Sequence, residues 1–256
     1  VGFVSQGNIT QLMVGFDDKK AYTLPNSPVV SHVTACTPDG KKLELIELTK
    51  KKWSLHYKDR QAVTVKYRLT CPQSESNTLC RISNSQTVLF AYSSFIYPVY
   101  LAKPEPVTIS THWKQSASST QSTLSSFGSE SDISLSIEFR KFQKSMFASG
   151  NFLVSTSKGA KAHVSIGSDP DMAVFQKQKP ADIVTRIVKG SENFFTTDSY
   201  HSDQIFLLLS HRHQPKSLLV YPHNIHNGMV LFVSDSNEKH VEIYRQFLRL
   251  LAHEHL

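Results

Sequence analysis

The sequence has little of what several common chemistries require. It holds three cysteines and no Cys-x-x-Cys pair, so it offers no thiolate cluster for a metal. It has no Gly-rich phosphate loop and no Gly-x-Ser-x-Gly elbow, which removes the usual signatures of nucleotide binding and serine hydrolysis. No apolar run approaches the roughly 18 residues of a membrane span. There is no internal repeat. No basic-then-apolar leader precedes Val1, so the chain is expected to be either processed or cut from a longer one, and its stop inside a predicted helix favours a cut.

What is present fits a soluble globular protein. Its 256 residues suffice for two domains of roughly 100–150 residues. Apolar residues make up 39% and charged residues 19%. The net charge of +7 comes from 28 Lys and Arg against 21 Asp and Glu, and much of it lies in Lys41, Lys42, Lys50, Lys51, Lys52, Lys58 and Arg60. Nucleic-acid binding would call for stacking aromatics interleaved with these cations. Only Trp53 and Tyr57 are near, in strand-like alternation, so a solvated strand face and turn is expected and no nucleic-acid partner.

Cys71 and Cys80 bracket the polar stretch 72–79 between two strand-like runs. The spacing admits a disulfide, hence an oxidising compartment, and equally two unpaired thiols in a cytoplasmic protein. Cys36, in an apolar strand, is expected to act as a small buried hydrophobe.

Residues 1–170 read as β structure. Val29 to Cys36 alternates, Pro38-Asp39-Gly40-Lys41 supplies a turn, and Leu43, Leu45 and Ile46 begin a second strand. Trp53 to Tyr57 and Ala62 to Leu69 continue the pattern. Further strands are predicted at 88–90, 107–109, 133–139, 152–155 and 162–166. Many short strands with turns between them argue a β-sandwich-like domain. Gln115 to Ser131, rich in Ser and Thr and without proline, is predicted to be a surface loop. The aromatic run Phe95 to Tyr100 is expected to pack in a core rather than serve as a ligand platform.

The character changes between Ile166 and Pro180, where alternating apolar period gives way to helical period. Pro180 opens a predicted helix carrying Ile183, Val184, Ile187, Val188 and Phe194. Strands follow at 204–209, 217–221 and 229–233. Residues 171–256 thus form an α+β second domain. Its histidines include His211, His213, His223 and His226, which lack a carboxylate or cysteine partner at fixed spacing and are expected to be loop or surface groups.

The last predicted helix starts at Asp235 or Ser236, with Glu238 three residues after Asp235 in capping-box order. Val241, Tyr244, Phe247, Leu248 and Leu251 form its apolar stripe. It runs into His253-Glu254-His255-Leu256. His-Glu is the opening of a His-Glu-x-x-His zinc motif, whose two histidines share one helical face and whose glutamate activates the attacking water. His253 is therefore the candidate metal ligand and Glu254 the candidate general base. An amphipathic helix with a histidine-rich end is the plainer alternative.

Taken together these stretches resemble the glycyl-aminopeptidase-type family of bacterial zinc metallopeptidases, which often carry a C-terminal PDZ domain. The overlap runs from Ser31 through Asp39-Gly40-Lys41-Lys42-Leu43 and Trp53 to Val63-Thr64-Val65-Lys66-Tyr67-Arg68-Leu69. It resumes at Phe95-Ile96-Tyr97-Pro98, at Pro106-Val107-Thr108-Ile109 with Trp113, and then at Ile183 to Phe195, Ile205 to Leu209 and Phe247 to Leu256 with its His-Glu pair. The resemblance implies an N-terminal β domain followed by the first part of a thermolysin-like α+β catalytic domain. It also implies Zn2+, a peptide substrate, and a second histidine and a glutamate ligand beyond Leu256. The family has a Gly-Gly-x-Glu-His-like segment whose acid holds the substrate's amino end. Here Asn227-Gly228-Met229-Val230-Leu231 places Val230 at that point, implying an offset alignment, altered specificity or lost aminopeptidase activity.

The expected function is that of a zinc-dependent peptidase, aminopeptidase-like and periplasmic or secreted, of which this chain holds an incomplete and inactive part. The alternative is a non-catalytic β-sandwich scaffold with a degenerate peptidase-like domain.

Overall fold

The computed structural model describes residues 1–4, 7–15, 28–58, 60–71, 80–83, 85–101, 105–114, 122–158, 163–172, 176–195, 204–211, 219–221 and 228–233, with side chains described up to residue 190 except at Cys80. These residues group into two units. One takes Val1–Ile109 with Ser134–Lys144, the other Ser110–Ile133 with Ser145–Leu256.

The first unit contains β1 (Gly2–Val4), β2 (Ile9–Met13), β3 (Val29–Cys36), β4 (Glu44–Thr49), β5 (Lys52–His56), β6 (Ala62–Thr70), β7 (Cys80–Ile82), β8 (Gln86–Phe90) and β9 (Tyr97–Pro98). Two sheets, ordered β1-β6-β3 and β4-β5-β2-β9, contribute to one core. The period of 2 decides which residues enter it. Val63 and Val65 on β6, Trp53 and Leu55 on β5 and Leu12 on β2 are buried, while Lys66, Arg68 and Gln11 on the same strands are exposed. This is the expected sandwich-like β domain. Ile96 and Tyr97 are buried while Phe95 and Tyr100 are half-buried, so the aromatic run packs against the unit in part.

The β3 to β4 turn is built by local chemistry. Gly40 has φ +85°, a region that penalises any side chain. The Thr37 amide donates to the Lys41 carbonyl at 3.0 Å, and the Thr37 hydroxyl donates to the Asp39 carboxylate. Short helices α1 (Ala91–Ser94) and α2 (Phe139–Gln143) bring Phe95 and Phe142 to a ring separation of 5.7 Å, and Phe139 lies 4.8 Å from Tyr97.

β10 (Pro106–His112) and β12 (Asp132–Glu138) pair as a two-stranded ribbon. In the second unit β11 (Ser122–Ser125) pairs antiparallel with β13 (Met146–Gly150). The predicted loop over Gln115 to Ser131 therefore contains a strand. Leu124 is 1% exposed and gives β11 an apolar anchor, while the Ser125 hydroxyl donates to the nearby Gly128 carbonyl and the Ser126 hydroxyl accepts from the Met146 amide on β13 instead of facing water. A Ser/Thr-rich composition hid a buried segment.

The remaining sheet is mixed. Its order is β14 (Leu153–Lys158), β15 (His163–Ser168), β16 (Gln204–His211), β18 (Gly228–Val233), β17 (Leu219–Tyr221). β15, β16 and β18 run parallel, with β14 and β17 antiparallel at the edges. Helix α3 (Pro180–Phe195) packs on β14 and β15. Pro180 occupies its first position, where a missing N–H costs nothing, and Ala181, Val184 and Val188 are its buried stripe. The sheet takes two strands from before residue 170 and three from after it. Spatial grouping and the division at 170 thus cut the chain differently, while α3 is the first helix longer than five residues among the described ones.

Cys71 is bonded in a disulfide and Cys36 is a free, half-buried thiol. The Cys80 side chain lies outside the described residues. Non-reducing peptide mapping should link the Cys71 and Cys80 peptides and leave only Cys36 open to alkylation. Cys71→Ser should cost roughly 2–4 kcal/mol in chemical denaturation. A Cys71 peptide that alkylates without reduction would contradict this.

Candidate functional site

His253 and Glu254 lie outside the described residues, as does the whole predicted helix from Asp235. The structure shows the sheet whose strands precede them in the chain. The parallel strands β15, β16 and β18 pair continuously, Ile166 opposite Leu207 and Leu208 opposite Val230. Val230 also pairs with Tyr221 on the edge strand β17. The position where the resemblance expects an acid is therefore inside a sheet, flanked on both sides by ladder partners.

Of the other histidines singled out, His211 ends β16 opposite Val233, and His213, His223 and His226 lie outside the described residues. Among the described residues no three His, Cys, Asp or Glu side chains converge as a metal site would require.

Two histidine arrangements escaped the sequence reading. On β5, Ser54 Oγ is 3.4 Å from His56 Nε2, and His56 Nδ1 is 3.8 Å from Glu44 Oε2 on β4. Ser54 and His56 are two apart and share a strand face, which alternation alone could have shown; Glu44 needed the register Glu44 opposite His56. The order matches an acyl-transfer triad, but 3.8 Å is beyond a hydrogen bond. β5 also lies between β4 and β2, so its amides serve the ladder and do not converge on an oxyanion. No nucleophilic chemistry follows from this row.

The second arrangement pairs His112 at the end of β10 with Asp132 at the start of β12. His112 Nδ1 contacts Asp132 Oδ1, and the Ser131 hydroxyl donates to Asp132 Oδ2 at 2.9 Å. The His112 contact first, and the Ser131 hydroxyl second, hold the Asp132 carboxyl below its ordinary value of 3.8. A carboxyl depressed on folding adds stability that is present above its unfolded value and is lost as pH falls through the folded one. The group is fully exposed, so the effect is local and small. In an NMR titration, His112→Ala should move the Asp132 midpoint upward toward 3.8; an unmoved midpoint would contradict the pairing.

Burial also shapes the tyrosines. Tyr67 is pushed up to about 12 by desolvation while its hydroxyl donates to the Ser94 carbonyl at 2.9 Å, and burial pushes Tyr92 to about 12 as well. Neither phenol is poised for proton transfer near neutral pH. They are structural groups.

Residues 26–147 match the Peptidase M61 N-terminal domain. This stretch is similar to a peptidase-family N-terminal domain, in agreement with the resemblance read from Ser31 onward. No curated protein matches the chain. Among solved structures, an aminopeptidase N family protein from Idiomarina loihiensis is similar over 99% of this chain and 43% of its own, at 12% identity and a TM-score of 0.68. Yeast LTA4 hydrolase is similar over 90% of this chain and 37% of its own, at 12% identity and a TM-score of 0.48. An M1 zinc metallopeptidase from Deinococcus radiodurans is similar over 93% of this chain and 55% of its own, at 10% identity and a TM-score of 0.44. The chain thus spans less than half the length of the Idiomarina protein. The likeness to the Idiomarina protein, at 12% identity, establishes a shared fold.

Proposed function

We propose that this chain is the β domain and the first part of the catalytic domain of a zinc-dependent peptidase of aminopeptidase type. The observation that carries the proposal is the M61 N-terminal domain match over 26–147. The mixed sheet with α3 packed on it and a His-Glu pair downstream support it in the order a peptidase requires.

In this reading His253 is a metal ligand and Glu254 the general base. Imidazole and carboxylate donors suit Zn2+, but a catalytic zinc takes three protein ligands and this chain supplies one at the motif. The others would come from residues past Leu256. When bound, zinc supplies Lewis-acid polarisation of the peptide carbonyl and lowers the pKa of its water. Glu254 would take the proton of the attacking water and pass it to the leaving amine. Val230 places no carboxylate for a substrate's free amino group, so weak aminopeptidase preference is part of the proposal.

The disulfide at Cys71 supports a periplasmic or secreted location over a cytoplasmic one, because such bonds persist in oxidising compartments. No described helix is long and apolar enough to cross a membrane.

The test is hydrolysis of amino-acyl amides and short peptides by the 256-residue chain and by the protein extended past Leu256. Chelator-sensitive hydrolysis is expected from the extended protein alone. An extended protein that folds and hydrolyses nothing would favour a scaffold in which the sandwich is kept and the chemistry is gone.

A further inference from the structure

Sheet β1-β6-β3 buries one face in the core of the first unit and turns the other outward. Its register says which residues line the outer face. Val29 pairs with Thr70, Ser31 with Arg68, Thr34 with Lys66 and Cys36 with Thr64. On the other side of β6, Gly2 pairs with Thr64 and Val4 with Ala62. The register shift between Ser31 and Thr34, where His32 has φ 54°, takes up one extra residue, so Ser31 and Thr34 both face outward. A bridge from Cys36 to Lys42 adds a further cation to the row. Lys42, Lys66 and Arg68 are exposed, and no described carboxylate pairs with them or stands in these rows. The acids nearest in sequence are engaged elsewhere: Asp39 accepts from the Thr37 hydroxyl in its turn, and Glu44 and Glu47 lie on β4. A merely solvated face usually mixes both signs. Val29, 53% exposed, and Val4, 61% exposed, stand at opposite ends of the same face.

We infer that this face docks on the headgroup surface of an anionic lipid bilayer. From Thr64 to Thr70 the strand offers an extended surface about 20 Å long, which meets a plane without needing a groove. Lys66 and Arg68, about 7 Å apart along β6, reach separate headgroup phosphates. The hydroxyls of Ser31, Thr34, Thr64 and Thr70 in the same rows donate to phosphate oxygens. Val4 and Val29 cover their exposed surface against the acyl boundary beneath the headgroups. Each cation near such a surface is worth roughly fivefold in partition, so three of them give reversible, salt-sensitive attachment. Nucleic acid fits less well, because no aromatic side chain stands in these rows to stack a base.

The test is co-sedimentation of the 256-residue chain with vesicles of phosphatidylcholine alone and of phosphatidylcholine mixed with phosphatidylserine. Binding is expected to the mixed vesicles only. Lys66→Glu with Arg68→Glu should weaken it ~10-fold or more, and the gentler Lys66→Gln with Arg68→Gln should act in the same direction with an unchanged circular dichroism spectrum. Lys50→Glu with Lys51→Glu alters net charge equally in the turn after β4 and should leave binding nearly unchanged. The free thiol of Cys36 lies on the docking face, so a neutral maleimide should label it several-fold more slowly when anionic vesicles are present. Equal binding to both vesicles, equal loss in the two charge-reversed variants, or an unslowed Cys36 would overturn the proposal. So would an oligonucleotide or an acidic peptide that shields Cys36 while anionic vesicles do not. None of these outcomes depends on zinc or hydrolysis.

Discussion

In the protein extended past Leu256, Glu254→Gln should leave zinc and peptide binding in place and lower kcat by ~10²–10⁴. Glutamine is nearly isosteric with glutamate and keeps a hydrogen bond to the attacking water, but it cannot accept that water's proton. The loss should therefore fall on kcat, with KM little changed. A role confined to helix stability predicts the reverse, a loss of folded protein with normal turnover in what remains. The pH profile separates the cases further: the acidic limb of kcat/KM belongs to the general base and should vanish in the variant. An unchanged kcat would remove Glu254 from the chemistry.

The second large effect is structural. Leu55→Ala should destabilise the first unit by about 2–5 kcal/mol. Leu55 is 0% exposed on β5, an interior strand, with Leu45 opposite on β4 and Thr10 opposite on β2. Its neighbours in the cluster are Leu12, Trp53, Val63 and Val65, contributed by both sheets. Truncation would leave a void bounded on two sides by backbone ladders, which can collapse only partly, so the cavity adds to the lost transfer free energy. Ser54→Ala on the opposite, half-buried face is the control and should stay within about 0.5 kcal/mol. Equal effects from the two would mean that the alternation does not define the core.

The contrast between Leu55 and Ser54 also shows why much of this fold is legible in the chain. Where one face of a strand is buried and the other wet, the alternation is written into the residues, and β3, β5, β6, β10 and β12 all lie where that pattern predicts. Helix α3 is as clear, through Pro180 and the Ala181, Val184 and Val188 stripe. Strands lacking that contrast were missed. β13, Met146 to Gly150, is buried at every position, so it has no alternation to read. β11 rests on Leu124 and hydroxyl groups that composition assigns to a loop. β2 is short, and its pairing with both β5 and β9 depends on segments far along the chain.

The candidate site divides the same way. His253-Glu254 is a candidate drawn from a two-residue motif at the end of a predicted helix, and it lies outside the described residues. The Glu44 to His56 and His112 to Asp132 neighbours are cross-strand facts, set by register and invisible until the sheets are built.

The account stands most directly on zinc. After dialysis against metal-free buffer, the protein extended past Leu256 should retain stoichiometric zinc by elemental analysis. His253→Ala should lose it with an unchanged circular dichroism spectrum, since removing one of three ligands abolishes tight binding without touching the β domain. The 256-residue chain itself should hold none. A folded, extended protein that carries no zinc, or one whose zinc is indifferent to His253→Ala, would contradict the central claim.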